Sequence, residues 1–499
     1  MSGWSTGYVS DVPYIRGFYR QQSPLHLDIA CLLGNTVPVG AATAPTLSYL
    51  ELGCGQGYGA LALAASHPNW RITAVDLLPA HIADAREFAA EAGIGNAAFI
   101  EADLVTLTQD SLAAAIPEAD VVSMHGLWAW VTEPVRAGIV RLLRAKLRPG
   151  GMVHISYNAL PGWQGTLGMQ RLLRESGLRL ARRSDRQAAA GLEIVRALFA
   201  TKAVNLVNDP FVKHVVERNI SADYLSHEYM NVGWSPCFHA DVAAALAEAK
   251  LDWVASAELF ENFTELMLDA EQREIMNRFD EPGMRELVKD LCVKRGLRQD
   301  LFVRGARRLD PESRDRALRD MILLPSRTAE SFDYAAIFPA GKADLEPSFY
   351  GPVTAALATG PKTVGDLLDL PDLPRRGNPA ELIGMLVGTE QAVPAARLAG
   401  ESDAASVRFN VATARRLLNP DRLTAVLALA SSRHGATLPT QALELFVWER
   451  LRRDEPADPA AWADRLTSSE DVENRKKVLE YLGNVVSNRV PVWRSLHVL

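Results

Sequence analysis

The chain has 499 residues, of which 48% are hydrophobic and 23% charged, and its formal net charge is −7. This composition is that of a soluble globular protein, and the length predicts two to four domains. The sequence has no run of about 18 apolar residues, and Arg16 and Arg20 stand where a secretory signal would be apolar, so we expect a cytoplasmic protein with no membrane insertion.

Strands and helices alternate through the first 157 residues. The strands are predicted at 46–52, 71–76, 97–101, 120–124 and 152–157, and the helices at 58–65, 79–93 and 135–147. Pro79 suits the first turn of its helix, and Gly93 suits its end. This alternation predicts a doubly wound α/β fold, in which helices cover both faces of a parallel sheet.

A helical stretch interrupts the alternation after residue 158. We predict a helical insertion at about 160–235, and its leucine-rich part at 172–199 makes a homodimer a reasonable expectation. The pattern then resumes with a helix at 239–249, a strand at 251–258, a helix within 271–296 and a strand at 300–304. The first domain is therefore predicted to span 1–306.

The last third of the chain is predicted to form a separate unit. A charged helix and a Pro-containing linker are expected at 307–340, followed by a C-terminal domain at 341–499. Three short helices at 350–358, 363–370 and 380–387 and a strand at 407–411 have the order of a winged helix. The helix that would read DNA, at 379–389, carries no Lys or Arg, so a nucleic-acid partner is not expected.

Three glycines, Gly53, Gly55 and Gly57, follow the first strand and precede a helix. Such a loop lets the backbone approach a ligand closely, and the helix N-terminus adds free N–H groups. Together with Asp76, about 20 residues further on, the same pattern also fits a dinucleotide-binding fingerprint. The loop alone therefore leaves two cofactor classes open.

Two carboxylates help to separate these classes. Glu51, two residues before Gly53, would repel a pyrophosphate and suits a ligand that carries a cationic amino acid group. Asp103, after the third strand, is placed to accept a hydrogen bond from an adenine amino group, while Asp76 could accept from both ribose hydroxyls. The roughly 45 residues before the first strand suffice for a segment that folds over the cofactor.

The segments ELGCGQG at 51–57, VD at 75–76 and EAD at 101–103 resemble the first three motifs of class I S-adenosylmethionine-dependent methyltransferases, in order and spacing. The resemblance implies a Rossmann-like sheet and S-adenosylmethionine as the cofactor. It places Gly53 and Gly55 under the methionyl part. It also places Asp76 and the following Leu77 at the ribose, and Asp103 with Leu104 around the adenine.

Further segments resemble one group of these enzymes. They are Tyr14, HGLWAW at 125–130, YNALPGW at 157–163, YLSHEYMN at 224–231 and RQDLFVRG at 298–305. They occur together in bacterial methyltransferases that carry a methyltransferase regulatory domain, and the resemblance covers nearly the whole chain. Rickettsial members are protein lysine methyltransferases that act on outer-membrane proteins. The resemblance thus implies a protein substrate, such as an outer-membrane or surface protein, and places Tyr14 and His125 near the cofactor.

Candidate catalytic residues follow the fourth and fifth predicted strands. His125 lies at the sheet edge where ligands of open α/β sheets bind, so it could contact the cofactor or act as a base. Tyr157 and Asn158 could orient an amine, and the aromatic face of Trp128 could hold a cation. A packed, hydrogen-bonded histidine and a core indole are the alternative interpretations.

A polar and aromatic group follows in the inserted region. His227, Glu228 and Tyr229 could form a lid over a substrate cleft, with Trp130 lining the cleft and Trp234 packed beneath. Helix capping is an equally reasonable role. The segment at 227–231 lacks the second histidine of a zinc protease, and the four cysteines form no CxxC pair, so no metal site is predicted.

The leading hypothesis is an S-adenosylmethionine-dependent protein lysine N-methyltransferase that works by in-line methyl transfer. The alternatives are a small-molecule N- or O-methyltransferase, a non-catalytic cofactor-binding interaction protein and an NAD-dependent oxidoreductase.

Overall fold

A seven-stranded sheet forms the centre of the first domain. The structure is a computed structural model, and it describes residues 5, 7–14, 16–106, 114, 116–218, 220–371, 373–374, 377–401, 404–418, 425–467 and 471–499. The strands lie in the order β3-β2-β1-β4-β5-β7-β6. They are β1 (Ser48–Leu52), β2 (Arg71–Asp76), β3 (Ala97–Glu101), β4 (Ala119–Met124), β5 (Leu147–Asn158), β6 (Leu251–Ser256) and β7 (Leu297–Arg304).

The strand directions place the predicted cofactor residues at one edge of the sheet. β1 pairs in parallel with β2 and β4, whereas β7 is antiparallel to both β5 and β6. The predicted α/β fold is confirmed, although the sheet is mixed at one side instead of fully parallel. Because the carboxyl ends of β1, β2 and β4 meet at the same edge, the loop at 53–57, Asp76 and His125 lie together there.

Helices cover both faces of this sheet. In the first domain they span Pro24–Leu33, Tyr58–Ser66, Pro79–Ala92, Glu133–Lys146, His239–Ala247, Thr264–Met267, Ala270–Met276 and Pro282–Cys292. Gly93 ends its helix with a left-handed φ of 63°, as its position predicted. The helix predicted within 271–296 is in fact two helices.

The predicted insertion is helical and has a small core of its own. Its helices span Leu167–Leu180, Ser184–Ala200, Val204–Val207, Pro210–Glu217 and Ala222–Tyr229. Leu173 and Val195 belong to a buried apolar cluster that also contains Val9 and Val12. The insertion therefore anchors residues 7–14, which we call the N-terminal segment.

The remaining residues form a C-terminal unit. Its helices span Pro311–Asp320, Pro347–Ala358, Val364–Leu368, Pro379–Gly388, Ala404–Leu417, Ala442–Arg452, Pro459–Leu466, Val472–Asn488 and Val490–Ser495. Its strands are β8 (Ile322–Pro325), β9 (Ala335–Phe338), β10 (Gly341–Asp344), β11 (Lys362–Thr363), β12 (Ala392–Ala395), β13 (Val426–Ser431) and β14 (Ala436–Gln441). No helix in the described part of the chain is both long and apolar enough to cross a membrane.

Two sequence predictions for this unit are wrong. β8 is the central strand of the sheet β11-β8-β12, so the region 307–340 holds a structural strand of the unit where a linker was predicted. Residues 407–411 form part of a helix and not a strand, and Phe409, Ala412 and Thr413 are buried along it. The winged-helix assignment of 341–499 stays a prediction.

The C-terminal unit packs against the two helices that follow β1 and β2. The Tyr58 hydroxyl donates to the Ala428 carbonyl at 3.2 Å and accepts from the Ala428 N–H at 3.0 Å. Arg416 Nε lies 2.6 Å from a carboxylate oxygen of Glu91. The C-terminal unit thus packs on, and stabilises, the two helices that begin at the glycine loop and just after Asp76.

Candidate active site

A cavity opens at the carboxyl edge of β1, β2 and β4 and is covered by the N-terminal segment. Its walls are formed by Tyr8, Tyr14, Gly53, Gly55, Val75, Asp76, Leu77, His81, Ala102, Asp103, Leu104, His125, Gly126, Leu127, Val131 and Val135. Eight of the predicted cofactor residues are in this set: Tyr14, Gly53, Gly55, Asp76, Leu77, Asp103, Leu104 and His125. The sequence motifs therefore converge on one cavity.

The three glycines of the loop have different roles. All three have positive φ, at 70°, 55° and 70° for Gly53, Gly55 and Gly57. A β-carbon on Gly55 would meet open space, which leaves its backbone free for a ligand. A β-carbon on Gly57 would overlap Phe99 and lie 2.8 Å from Ala85. Gly57 therefore allows the helix to pack on the sheet, and its predicted contact with the cofactor is corrected.

Asp76 fixes the loops on both sides of it. Its carboxylate accepts hydrogen bonds from the Gly55 N–H at 2.8 Å and from the Leu78 N–H at 2.9 Å. Nδ1 of His81 lies 3.2 Å from the same carboxylate. Because these contacts orient the carboxylate at the cavity wall, Asp76 is prepared to accept hydrogen bonds from a ligand.

Glu51 is buried behind the glycine loop and does not line the cavity. Its Oε1 accepts a hydrogen bond from Gln22 Nε2 at 3.2 Å, while its Oε2 has no partner among the described residues. Burial raises the pKa of Glu51 to about 7, and the charge of Asp76 adds to this rise. A carboxylate with an unsatisfied buried oxygen suits a ligand that brings a positive charge.

His125 is held by an aromatic partner that the sequence did not indicate. Its ring stacks on Tyr19 with centroids 3.8 Å apart, and its Nδ1 is buried without a hydrogen-bond partner among the described residues. Burial, together with nearby His154, lowers the pKa of His125 to about 3. The imidazole is therefore neutral at physiological pH and is a poor proton acceptor, so the structure supports a contact role and not that of a base.

Glu228 is a buried carboxylate with an amide and two indoles as neighbours. Glu228 Oε1 accepts a hydrogen bond from Asn158 Nδ2 at 2.8 Å, and the indoles of Trp130 and Trp234 adjoin the same carboxylate. Burial raises the pKa of Glu228 to about 7, although the hydrogen bond from Asn158 opposes the rise. We call this group, together with the tyrosines described next, the Glu228 cage.

Three tyrosines lie within electrostatic range of Glu228. Burial raises the pKa of Tyr8, Tyr14 and Tyr224, and in each case the charge of Glu228 adds to the effect. Tyr8 and Tyr14 also line the cavity. The structure thus brings Asn158, predicted as a catalytic residue, together with Glu228, Trp130 and Trp234 of the predicted substrate or lid group.

His227 holds the N-terminal segment over the site. Its Nε2 lies 2.9 Å from the Val12 carbonyl oxygen, and its ring meets the ring of Tyr14 edge-on at 5.0 Å. Burial lowers the pKa of His227, although its hydrogen bond to Val12 opposes this. His227 does not line the cavity. Of the predicted lid role it keeps one part, which is to bind the N-terminal segment that covers the cavity.

Three other predicted site residues lie in the core, and their assignments are corrected. Tyr157 is fully buried, and its hydroxyl donates to Asp300 Oδ2 at 2.5 Å, so it cannot orient an amine. Trp128 is buried beneath the guanidinium of Arg136, 5.7 Å from its ring, and Tyr229 is buried in the apolar cluster of the insertion. Their aromatic rings supply packing area to the core and not a surface for a substrate.

Sequence reasoning missed Tyr8, Tyr19, Gln22 and His81. Tyr8 and Tyr19 lie in the part of the chain that was expected to fold over the cofactor, so their region was predicted but their contacts were not. His81 stands five residues after Asp76, in the first turn of the following helix, which is the signal that could have identified it. Within the described residues, no group of three His, Cys, Asp or Glu side chains is placed to hold a metal ion.

Comparison with known proteins identifies the family. A family model described as a methyltransferase domain matches residues 50–151, and one described as a predicted methyltransferase regulatory domain matches residues 221–304. Protein sll1526 of Synechocystis sp. is 32% identical over 370 residues, which cover 73% of this chain and 71% of that protein. The chain belongs to the methyltransferases with a regulatory domain.

Two solved structures resemble this methyltransferase over nearly the whole length of its chain. PKMT2 from Rickettsia typhi superposes with a TM-score of 0.66 at 17% identity, covering 98% of this chain and 99% of that one. The same protein in complex with AdoHcy gives a TM-score of 0.66 at 15% identity, with 98% and 100% covered. These matches establish the class I methyltransferase fold.

S-adenosylmethionine is the cofactor of this methyltransferase. The residues present fit such a ligand. Gly55 leaves open space above the loop, and Asp76 offers an oriented carboxylate. Glu51 has a buried carboxylate oxygen with no partner in the described part of the chain. A dinucleotide would bring phosphates toward Glu51 and fits less well.

Replacing Asp76 by Ala is expected to weaken S-adenosylmethionine binding by about 1.5 to 3 kcal/mol, because hydrogen bonds to a charged group are lost. The variant also loses the anchor of the Gly55 N–H. Calorimetry measures the Kd, and Asp320→Asn, which alters an exposed carboxylate, is the control. An unchanged Kd in Asp76→Ala would show that this carboxylate does not contact the cofactor.

Glu51→Gln is expected to stabilise the cofactor-free methyltransferase by about 1 to 3 kcal/mol at about pH 8 and to have little effect at about pH 5. The folded pKa of about 7 exceeds the ordinary value of 4.5, so the folded state binds the proton more tightly. The stability that this proton confers is lost as the pH rises from 4.5 through 7. Denaturant unfolding at both pH values measures the effect, with exposed Glu274→Gln as the control. A gain of the same size at both pH values would contradict the assignment.

Proposed function

We propose that this methyltransferase is a protein lysine N-methyltransferase, and the observation that carries the proposal is the Glu228 cage beside the cofactor cavity. An acceptor lysine arrives as an ammonium ion, and aromatic faces together with a buried carboxylate form a suitable environment for a cation. Tyr8 and Tyr14 belong to both the cage and the cavity wall, so an amine held in the cage lies beside the cofactor.

For the cofactor, the proposal assigns contacts residue by residue. Asp76 accepts from the ribose hydroxyls, and Asp103 with Leu104 surrounds the adenine. The backbone of Gly55 supports the methionyl part, and Glu51 pairs with its ammonium group. Each assignment is supported by a position at or directly behind the cavity wall.

The chemistry requires a neutral amine, because only a free lone pair can attack a methyl group. S-adenosylmethionine supplies that methyl group on a sulfonium. Glu228 accepts a proton from the lysine Nζ, and its pKa of about 7 makes it a stronger base than an ordinary carboxylate. Asn158 keeps the carboxylate in place, and the surrounding aromatic rings lower the pKa of the amine by removing water.

A protein acceptor is favoured over a small amine by the likeness to the rickettsial protein lysine methyltransferases, which extends over the whole chain. The experiment is transfer of radiolabelled methyl groups in a lysate of the source organism, followed by mass spectrometry of the labelled proteins. We expect methylated lysine in a protein fraction, including any outer-membrane or surface protein, and no label with Glu228→Gln. Label found in small molecules alone would contradict the proposal.

Self-association through the helical insertion is also part of the proposal. Leu180 and Val204 of the insertion are exposed to solvent at 60% and 68%. A contiguous exposed apolar patch favours a protein–protein contact, and we propose that these two side chains belong to such a patch. Light scattering of the full chain measures the oligomeric state, and a monomer at micromolar concentration would contradict this part.

A further inference from the structure

A second cavity, with a volume of about 540 Å³, lies between the chain around Arg20 and the C-terminal unit. It shares no lining residue with the cofactor cavity. Its walls come from both parts of the molecule, with Phe18 and His26 on one side and β8, β12 and the hairpin β13–β14 on the other. The volume and the position between two structural units are those of a small-molecule site.

The arginines of this cavity differ in how closely they are paired with carboxylates. Three arginines line it. Arg489 pairs with Glu444 at 2.9 Å, and Arg20 pairs with Glu390 at 3.5 Å and with Glu258 at 3.7 Å.

Arg327 is the arginine that lacks such a partner. It donates to the Ser331 carbonyl at 3.4 Å, and no carboxylate of the described residues forms an ion pair with it. Burial, together with the charge of Arg489, lowers the pKa of Arg327, although the charges of Asp333, Glu390 and Glu444 oppose this shift. An anionic ligand would relieve this unfavourable burial of charge.

Two buried hydrogen-bond donors at the cavity also lack partners. The hydroxyl of Ser326 and the indole N–H of Trp493 make no hydrogen bond with any described residue, and their side chains belong to residues that are 7% and 1% exposed. Buried polar groups are normally satisfied, so unpartnered donors at a cavity wall indicate a ligand that supplies acceptor oxygens.

A short segment connects this cavity with the cofactor site. Arg20, on the cavity wall, donates to the Val387 carbonyl at 2.5 Å. Tyr19 stacks on His125 of the cofactor cavity, and Gln22 donates to Glu51. Residues 18–22 thus contact both cavities. A displacement of Arg20 would also displace its neighbours Tyr19 and Gln22, which contact His125 and Glu51.

We propose that the second cavity is an effector site for a small molecule that bears a carboxylate or phosphate, which Arg327, Ser326 and Trp493 bind, and that residues 18–22 couple its occupancy to the affinity for S-adenosylmethionine. Coupling of this kind is reciprocal, so the cofactor must change the affinity for the effector by the same factor. The inference is independent of the acceptor of the methyl group.

Calorimetry of the full chain tests the binding, with citrate as the carboxylate probe and pyrophosphate as the phosphate probe, at constant ionic strength in chloride. We expect one of the two to bind with one site per chain and to change the Kd of S-adenosylmethionine about fivefold or more. Arg327→Gln should weaken the binding of that probe about tenfold or more. The exposed Arg144→Gln removes the same charge elsewhere and should leave binding unchanged.

Trp493→Phe provides a second variant, since it removes the indole N–H but keeps a ring in the core. It should weaken the same probe while the melting temperature confirms that the fold is intact. The effector site is overturned if neither probe binds, or if Arg327→Gln binds as tightly as Arg144→Gln. Binding that leaves the Kd of S-adenosylmethionine unchanged, in both directions of the titration, overturns the coupling.

Discussion

Replacing Glu228 by Gln is expected to lower kcat/KM for methyl transfer to a lysine-containing protein by about two to four orders of magnitude, with the Kd of S-adenosylmethionine changed by no more than about twofold. The amide keeps the shape of the side chain and can still bond to Asn158, but it cannot accept a proton or balance an ammonium charge. Initial rates of radiolabelled methyl transfer measure kcat/KM, and calorimetry measures the Kd.

The pH dependence provides an independent check of the same residue. The pKa of Glu228 is about 7, so the group is protonated below that pH and cannot serve as a base. The value of kcat/KM in the native enzyme should therefore fall as the pH drops below about 7, and this dependence should disappear in Glu228→Gln. Glu274→Gln is the matched control at an exposed site. Equal pH profiles in the native enzyme and Glu228→Gln would assign proton transfer to another group.

Replacing Arg298 by Met is expected to cost about 3 to 5 kcal/mol of folding stability, which is the usual cost of removing one partner from a buried group of ions. Arg298 is 1% exposed and donates to Asp290, Asp300 and Glu286 at 2.8 to 3.0 Å. Without the guanidinium, these carboxylates lose the positive charge that compensates for their burial. Chemical denaturation followed by circular dichroism measures the change.

Two further variants distinguish this structural role from a catalytic one. Arg144→Met, at an exposed position, should change stability by no more than about 0.5 kcal/mol. Tyr157→Phe removes one hydrogen bond to Asp300 and should lose about 1 to 3 kcal/mol of stability while keeping the native kcat per folded molecule. A large loss of kcat in folded Tyr157→Phe would contradict the structural assignment and would indicate that Tyr157 is a catalytic residue.

The first domain could be predicted from sequence because its elements are defined by local patterns. The strands at β1 to β5 are apolar runs bounded by turn residues, and the loop at 53–57 requires glycines at positive φ. Residues at the ends of parallel strands are brought together by the topology itself, which is why Asp76, Asp103 and His125 were placed correctly at one cavity.

The side chains proposed for catalysis were harder to predict because their surroundings depend on partners distant in the chain. Tyr157 and Asn158 are neighbours at the end of β5, and alternation along a strand sends them to opposite faces. Tyr157 meets Asp300, 143 residues away, and Asn158 meets Glu228, 70 residues away. A single sequence indicates neither pairing, so it could not show which of the two faces the site.

The helix at 404–417 shows a different limit. Val407, Phe409 and Val411 alternate with polar residues and so indicate a strand. The buried residues, however, include Ser406, Phe409, Asn410 and Thr413, which have the spacing of a helix. In a stretch of only five residues, the strand period of about 2 and the helix period of about 3.6 residues both fit the sequence. Arg416 of this helix pairs with Glu91 of the first domain, and no pattern in the neighbouring sequence indicates this contact.

The N-terminal segment has a consequence for the order of events in a turnover. Tyr8 and Tyr14 form part of the wall around the cofactor and part of the cage around the acceptor, while Val9 and Val12 are fixed in the insertion. The proposed acceptor site is therefore complete only when the segment covers the cofactor cavity. We expect a compulsory sequence in which S-adenosylmethionine binds first and its demethylated product leaves last, and product-inhibition patterns would record that sequence.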